Sequence, residues 1–448
     1  MASRTGASGG GALAGDPSDV IAAGGGSRGG LASDAITDPE WIAARRKRAA
    51  ALELPIPSFK GELGWEFTPL GNHFSLGDFP PAVGGPLPSV EPERVLPVPA
   101  GATELLQVDA ATTDGVAVED GPVVLPLDVA ASEHPELVEP WLGSVVPPDV
   151  DAFTAANEAT WKGGAFVFVP RGVKVDAPIL LTSVNAVAGQ SLNRRTLIVL
   201  DEGAEAEVWE QHLSADADGA AMLNTVVEIV VGQNAHLRYV NAQDLNDRSL
   251  IFGSQRAHVA RDGVLEWAAL GFGGKTGRVR MATTLLGPNA EARVTGAYAP
   301  RGRQHVDYDT YQEHAAPGCI SDLAFRGILN DRASSVWRGM IKVDPGAQQT
   351  DAFQECRNLL LTKRAHADAI PGLEILANDV RCTHAAAIAQ IDPEQLYYLR
   401  SRGLRLDVAR RLVIEGFLAE LVARFGEDSL LRDAVTEALD RRLGVVLG

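Results

Sequence analysis

Cys382 and His384 are the two residues of this chain whose types and spacing best suit metal chemistry. They lie two residues apart in the run LEILANDVRCTHAAAIAQ, which has the composition of an extended strand. Side chains at i and i+2 of a strand point to the same face. Thiolate and imidazole are both good iron ligands, so that face could bind a metal. On the residues alone, a core thiol and a hydrogen-bonded core imidazole are the commoner outcome.

A Cys–His nucleophile is the catalytic alternative at the same place, with Cys382 activated by His384. Its geometry is poor, because neighbours at i and i+2 point in parallel rather than toward each other. A second catalytic alternative is a hydrolase or lyase that uses Asp307, Asp309 and Glu313 of HVDYDTYQEH as acid and base. Charges on a solvated strand face explain these three carboxylates equally well.

Other reactive side chains are better explained as structural. Cys319, next to Pro317-Gly318, and Cys356, before the run LLLTK, are expected to be structural thiols. Solvated turn histidines would account for His305, His314 and His366. The run GFGGKT resembles a phosphate-binding loop, but Ala269 stands where its first glycine is needed and no helical pattern follows, so we do not expect nucleotide binding there.

The elements that must position these residues are short β-branched runs between about Trp161 and Ile391. Turn steps recur at Gly203-Ala204, Asn234-Ala235, Gly263-Val264 and Asn289-Ala290, at intervals of 31, 29 and 26 residues. A small residue after a Gly or Asn suits a tight corner, and two strands per coil fit a spacing near 30. The pattern therefore favours a mainly β solenoid of stacked coils. A β-sandwich also has regular turn signals and stays open as the alternative.

The solenoid is flanked by segments of different character. Residues 1–37 are rich in Gly, Ala and Ser and read as a disordered tail. Residues 38–160 contain helical patterns and form a predicted N-terminal helical domain, and residues 161–391 form the predicted β-helix core. Asp392-Pro393-Glu394 has the residues of a helix start, so residues 392–448 are the predicted C-terminal helical domain.

The helix expected after Asp407 has more apolar surface than one packed face needs. Two apolar rows run along it. The first has the spacing of a buried stripe and contains Ala409, Leu412, Val413, Gly416, Phe417, Leu421 and Phe425, and the second contains Ile414, Leu418 and Val422. The predicted partner contacts are Leu412, Val413, Gly416 and Phe417. We expect this helix to contact a partner protein, and Gly416 would let another backbone approach. In the alternative, the helix is internal and the segment from Asp428 to Leu443 covers the second row.

Composition restricts the partners and the compartment. The formal net charge of −18 opposes binding to a phosphate backbone, so nucleic acid is not an expected partner. No apolar run approaches the roughly 20 residues that span a bilayer, and the N-terminus lacks a secretory apolar core. Three widely spaced cysteines are a poor disulfide framework. These features predict a cytoplasmic protein with reduced thiols.

Several long segments resemble the SufB/SufD family of the Suf iron–sulfur cluster assembly system. The resemblance runs from about Trp41 to Phe425 and is densest in GGAFVFVPRGVKVDAPI, in the stretch from GMIKVDPGAQQ to LYYLRSRG, and in VARRLVIEGFLAELV. The pattern LEI-x-A-x-DV-x-C-x-H is similar to the SufD branch, because SufB proteins carry Glu-His-Glu where this chain has Cys382-Thr383-His384.

The resemblance implies a flattened right-handed parallel β-helix between N- and C-terminal helical domains. It implies a non-catalytic scaffold that pairs with a SufB-like subunit and binds the SufC-like ABC ATPase, with a transient iron–sulfur cluster formed at the SufB–SufD interface. His384 matches the SufD histidine implicated there, and Cys382 is a weaker candidate beside it. A homodimer in isolation and a reduced flavin in the complex are further expectations from the resemblance.

Overall fold

The computed structural model describes residues 38–57, 64–68, 70, 74–90, 92–215, 218–426 and 429–447. The predicted tail, residues 1–37, lies outside this set. Two sheets of ten strands each dominate the fold, and helices lie toward the two ends of the described chain. In the described part of the chain, no helix combines the length and the apolar character that a membrane span requires.

Each coil contributes one strand to each sheet. The first sheet has the order β2-β1-β6-β8-β10-β12-β14-β16-β18-β20, with strands at Ala111–Thr112, Thr103–Val108, Ile179–Asn185, Glu205–Ser214, His236–Asp244, Val264–Gly271, Glu291–Tyr298, Ile320–Leu329, Asp351–Leu360 and Arg381–Gln390. The second sheet has the order β3-β4-β5-β7-β9-β11-β13-β15-β17-β19, with strands at Val116–Ala117, Val123–Leu125, Ala165–Val169, Ser191–Leu200, Met222–Val231, Leu250–Val259, Thr276–Leu285, His305–His314, Ser334–Val343 and His366–Ile375.

Neighbouring strands from β5 and β6 onward pair in parallel with the strand of the next coil, for example β10 with β12 and β11 with β13. About eight coils stack in this way, which confirms the predicted β-solenoid and excludes the sandwich. A sandwich would pair strands that follow each other in sequence, mostly antiparallel.

The corners use left-handed residues much as the turn steps predict. Gly203, Asn234 and Asn289 have φ values of 68°, 54° and 57°. At the fourth predicted corner the left-handed residue is Asp262, with φ 52°, and not Gly263, so the prediction was displaced by one residue there. Asp tolerates this region because its side chain can hydrogen-bond locally.

A continuous apolar core fills the space between the two sheets. Its side chains come from alternate positions of successive strands, because the period of a strand is two residues. Large rings contact one another along this interior at tilted angles, with Tyr308 and Phe325 at 5.3 Å and Phe325 and Trp337 at 6.4 Å between ring centroids. The interior therefore holds the coils in register over the whole length of the solenoid.

The N-terminal helices cover the outer face of the second sheet. Helices α1 (Glu40–Ala50), α2 (Leu127–Glu133), α3 (Pro135–Val138) and α4 (Ala152–Thr160) contribute to the apolar clusters on that face. Residues 38–160 are not purely helical, since β1 pairs in parallel with β6 and β4 pairs antiparallel with β5. The segment thereby caps the first coil of the solenoid.

The C-terminal helices cover the outer face of the first sheet. Helix α5 (Pro393–Ser401) starts as the sequence predicts, because the Asp392 side chain accepts a hydrogen bond from the backbone N–H of Glu394 at 2.9 Å. Helices α6 (Leu406–Val422) and α7 (Leu430–Leu447) share an apolar cluster with Trp209, Val240 and Leu270 of that sheet.

The packing of α6 differs from the assignment of its two apolar rows. Ile414 and Leu418 of the second row are buried together with Ala409 and Leu421 of the first row, whereas Leu412 is 48% exposed and Gly416 is exposed. The spacing alone did not show which row meets the sheet. For Ile414 and Leu418 the internal alternative is therefore correct, and α7 and the first sheet cover them together.

Candidate functional site

The last coil of the solenoid has an open end. Strands β19 and β20 are the terminal strands of their sheets, and among the described residues no further strand pairs with either of them. Apolar side chains on this coil are partly in water, including Leu373, Ile375, Leu376 and Ile388. An unpaired strand edge with exposed apolar groups is a template for pairing with another chain.

The structure places Cys382 and His384 on β20, at this open end. In the register with β18, Cys382 lies next to Ala352 and His384 lies next to Gln354. Ala352 and Gln354 face the interior of the solenoid in the preceding coil, so Cys382 and His384 continue their rows. His384 is exposed because no coil within the described ranges covers it, whereas Cys382 is half-buried against a small cluster that includes Ile341 and Val343.

The environment of Cys382 favours its protonated form in the isolated chain. Burial raises the pKa of the Cys382 thiol, and the Asp351 carboxylate on the neighbouring strand adds to the shift. A thiol with a raised pKa is a weak metal ligand until a cation or metal lowers that pKa. His384 is thus the more accessible donor of the pair.

Gln354 is a buried polar residue of this site that the sequence did not indicate. Its side chain is fully buried, and Nε2 donates to the carbonyl oxygens of Gly339 and Gly372 at 3.2 and 3.0 Å. These carbonyls belong to the second sheet, so Gln354 bridges the two sheets directly beneath His384. The only sequence signal was its position two residues before Cys356, on the same interior face.

Cys319 and Cys356 lie away from the open end. Cys319 is fully buried and its thiol donates to the carbonyl oxygen of Gly287 at 3.3 Å. Cys356 is fully buried beside Tyr298 and Asn358, and burial raises its thiol pKa to about 11. Both cysteines behave as small core residues, in agreement with the structural role expected from the sequence.

The three carboxylates of the hydrolase alternative are occupied by ion pairs. Asp307 is buried and accepts from Arg278 at 2.6 Å and from the hydroxyl of Thr68, and burial raises the pKa of its carboxyl group. Asp309 accepts from Arg278 at 3.0 Å. Glu313, nearer the other end of β15, accepts from Lys342 at 2.7 Å. The arrangement is a charge network, in which the Oδ1 atom of Asp307 is buried without a hydrogen-bond partner among the described residues.

The scattered histidines make local contacts. His305 shares a hydrogen bond with Ser334 at 2.8 Å, His314 with Ser321 at 2.8 Å, and exposed His366 with Asp368 at 3.0 Å. Within the described part of the chain, no group of three His, Cys, Asp or Glu side chains is placed to hold a metal ion.

Of the predicted partner-binding residues of α6, Leu412 and Gly416 lie on its outer side, whereas Phe417 packs against the apolar cluster between α6 and the first sheet. Leu412 and Gly416 are exposed, and Val413 and Phe417 are half-buried. A Cβ added at Gly416 would meet no atom within 4 Å, so this surface is open. The guanidinium of Arg326 lies 5.8 Å from the Phe417 ring centroid and fixes that ring at the border with the sheet.

Comparison with known proteins gives matches over most of the chain. Residues 182–417 match the sequence model described as "SUF system FeS cluster assembly, SufBD core domain", and residues 107–181 match "SufBD protein N-terminal region". The "Iron-sulfur cluster assembly protein SufD" of Bacillus subtilis (strain 168) is 30% identical over 400 residues, which cover 86% of this chain and 90% of that protein. An "Iron-sulfur cluster assembly SufBD family protein" of Staphylococcus epidermidis (strain ATCC 12228) is 30% identical over 303 residues, which cover 67% of this chain and 64% of that protein.

Proposed function

Since this chain belongs to the SufBD family of iron–sulfur cluster assembly proteins, we propose that it is the SufD-like scaffold subunit of a Suf complex. In this proposal it pairs with a SufB-like subunit, and the nascent cluster forms where the two meet. A SufC-like ATPase binds its C-terminal helices. The iron–sulfur cluster is cargo of the complex, and this chain contributes surface and donor atoms rather than a catalytic group.

The observation that carries the proposal is the open last coil with His384 at its edge. β19 and β20 present unpaired backbone groups together with partly exposed Leu373 and Ile388. A partner strand would satisfy those backbone groups and remove the apolar side chains from water. The same edge would support a homodimer when the SufB-like subunit is absent, because a sheet edge can pair with a second copy of itself.

His384 is the proposed donor to the cluster, with Cys382 in a secondary role. The imidazole is exposed at the edge, while the Cys382 thiol is half-buried and has a raised pKa. One histidine among thiolates is a known way to ligate iron–sulfur clusters. The remaining ligands would come from the SufB-like subunit. Gln354 would hold the two sheets at a fixed separation beneath the site, since it donates to carbonyls of both β17 and β19.

The outer side of α6 is the proposed ATPase contact. Leu412, Val413, Gly416 and Phe417 form a surface with no covering element near Gly416 among the described residues. This surface is apolar, and Gly416 at its centre has no side chain, so a partner helix could pack closely against it. A partner on α6 would be connected to the first sheet, because the opposite side of the same helix packs on that sheet.

The proposal places the complex in the cytoplasm and includes a reduced flavin bound by the assembled complex. Flavin absorbance of the co-purified complex is the corresponding measurement. The hydrolase alternative is not favoured, because Arg278 and Lys342 occupy the carboxylates that it would use.

The pairing can be tested with two isoleucines of similar exposure on the same sheet. Ile388 on the last coil is 46% exposed, and Ile320 on β16 is 45% exposed. We expect Ile388→Lys to weaken pairing with co-expressed SufB-like and SufC-like subunits by about tenfold or more, because a buried unpaired charge is costly. Ile320→Lys is the matched control and should pair normally. Size-exclusion chromatography and titration of purified subunits measure the effect, and normal pairing by both variants would exclude the open end as the interface.

A further inference from the structure

A cavity of about 370 Å³ lies on the outer face of the second sheet, away from the open end and from α6. Its floor is formed by β11 and β13, and its walls by the segment Leu54–Pro57, by Trp65 and by the start of α4. This volume falls in the range of small-molecule sites. Nothing in the proposed scaffold role uses this cavity.

Most arginines around this cavity have carboxylate partners, but two do not. Arg195 pairs with Glu158 and Glu228, Arg278 with Asp307 and Asp309, and Arg338 with Glu66. Arg256 and Arg280 have no ion-pair or hydrogen-bond partner among the described residues, and the Nε atom of each is buried without one. Buried donors of this kind normally have a partner, because burying a polar group without one is unfavourable.

A buried hydroxyl lies beside the two arginines. Ser254 is 7% exposed, lines the cavity, and has no hydrogen-bond partner for Oγ in the described part of the chain. It is the register partner of Arg280 across β11 and β13, and Arg256 follows two positions later on the same face of β11. The floor therefore combines the unpartnered Ser254 hydroxyl with the unpartnered Arg280 guanidinium, and Arg256 lies next to this lining on the same face of β11.

Acidic groups near the cavity offset part of this positive charge, but none forms an ion pair with Arg256 or Arg280 among the described residues. Asp309 forms an ion pair with Arg278, and Asp151 caps α4 by accepting a hydrogen bond from the backbone N–H of Thr154 at 2.8 Å. Asp149 also lines the cavity without an ion pair among the described residues. The pKa of Arg256 is lowered, first by burial and next by the charge of Arg280, whereas the carboxylates of Asp151, Glu228 and Asp149 raise it. These carboxylates offset part of the repulsion between the two arginines. An anion between them would relieve that repulsion.

The aromatic wall indicates a compact ligand rather than a planar ring. Trp65 already stacks on Phe153 at 5.4 Å, and Phe153 stacks on Phe252 at 4.1 Å between ring centroids. The guanidinium of Arg278 lies 4.8 Å from the Trp65 ring centroid. Since these rings are engaged with one another and with Arg278, they close the cavity and leave the polar floor to recognise the ligand.

We propose that this cavity is a binding site for a phosphate-type oxyanion, held by the Arg280 guanidinium and the Ser254 hydroxyl, with Arg256 adding positive charge. Charge-assisted hydrogen bonds from arginine are the strongest protein contacts to phosphate. The volume accommodates inorganic phosphate or pyrophosphate. The site is separate from the cluster-forming end, and its existence does not depend on the scaffold proposal.

Calorimetric titration of the full chain with inorganic phosphate and with pyrophosphate, in a phosphate-free chloride buffer, tests the site. We expect saturable one-to-one binding of at least one of the two anions, weakened about tenfold or more by Arg280→Gln. The control Arg293→Gln changes an arginine on the outer face of the first sheet, far from the cavity, and should bind normally. Absence of saturable binding, or equal binding by wild type and Arg280→Gln, would overturn the proposal.

Ser254→Ala separates ligand binding from folding. The substitution removes a buried hydroxyl that has no partner, so we expect an unchanged or higher melting temperature without added anion. The gain in melting temperature on adding saturating pyrophosphate should be smaller than for wild type. If pyrophosphate raised the melting temperature of the Ser254→Ala variant as much as that of wild type, the Ser254 hydroxyl would not contact the anion.

Discussion

Two leucines on helix α6 provide a matched test of how the C-terminal helices are used. Leu418 is 4% exposed within the cluster that joins α6 and α7 to the first sheet, and Leu412 is 48% exposed on the outer side. Both changes are Leu→Ala within one helix, so the helix propensity term is nearly the same in each variant. The difference in the free energy of unfolding therefore reports packing.

The expected sizes follow from burial. Leu418→Ala removes a fully packed side chain and leaves a cavity, which costs about 3 kcal/mol in comparable cores. Leu412→Ala removes a side chain that is about half in water and leaves no cavity, which costs about 1 kcal/mol or less. If the chain of 448 residues unfolds as one unit, with an unfolding entropy of about 2.1 cal/mol/K per residue, 3 kcal/mol lowers the melting temperature by about 3 °C.

Urea unfolding followed by circular dichroism measures the stability difference, and titration with the SufC-like ATPase measures partner binding. We expect Leu412→Ala to fold normally and to bind the ATPase about tenfold more weakly, because the outer side of α6 is the proposed contact. Leu418→Ala should keep the affinity while losing stability. Equal destabilisation by the two variants would refute the packing of α6, and unchanged ATPase affinity in Leu412→Ala would refute the proposed contact.

Two further predictions concern thiols and pH. Iodoacetamide at about pH 8 should modify half-buried Cys382 well before Cys356, because the Cys356 thiol is fully buried and has a pKa of about 11. Peptide mass spectrometry follows the labelling of each cysteine. Comparable labelling of both in the folded protein would contradict the buried position of Cys356. Burial lowers the pKa of His212 from 6.5 to about 4. Between pH 6.5 and 4 the unfolded chain therefore binds a proton at this histidine that the folded chain does not bind. The free energy of unfolding falls as the pH decreases through this window, by up to about 1.4 kcal/mol per pH unit. His212→Gln should flatten the dependence of the melting temperature on pH in this window, and an unchanged slope would exclude His212 as its source.

The solenoid could be predicted from the sequence because its corners are a local feature. Left-handed Gly203, Asn234 and Asn289 are residue types that adopt this conformation readily, and they recur once per coil. The displaced corner at Asp262 shows the limit of this inference. Asp and Gly stand side by side there, and the sequence does not show which of the two takes the left-handed position.

The exposure of the metal-competent pair could not be predicted, because it depends on where the stack ends. Cys382 and His384 occupy interior rows, and in any earlier coil the same residues would be buried. The run CTHAAAIAQ has a continuous apolar stretch at AAAIA, which is also typical of a covered strand. Only the absence of a described strand beyond β20 makes His384 accessible.

The surface of α6 and the cavity on the second sheet depend on contacts between distant segments. Ile414 and Leu412 both belong to apolar rows with helical spacing, and only the position of the first sheet decides which one is buried. Ser254 and Arg280 are 26 positions apart in the sequence and become neighbours through the register of β11 and β13. Spacing along one element carries no information about such pairs.

In the proposed complex, the open end of the solenoid supplies His384 to a cluster formed with a SufB-like subunit. Iron and acid-labile sulfide per complex, measured after co-expression of this chain with SufB-like and SufC-like subunits, test it most directly. His366→Ala is the matched control, because His366 is an exposed histidine on β19 of the same coil. We predict that His384→Ala forms the complex with wild-type stoichiometry but contains far less iron and sulfide, that Cys382→Ser shows a weaker loss, and that His366→Ala equals wild type. Wild-type iron and sulfide in the His384→Ala complex would contradict the claim.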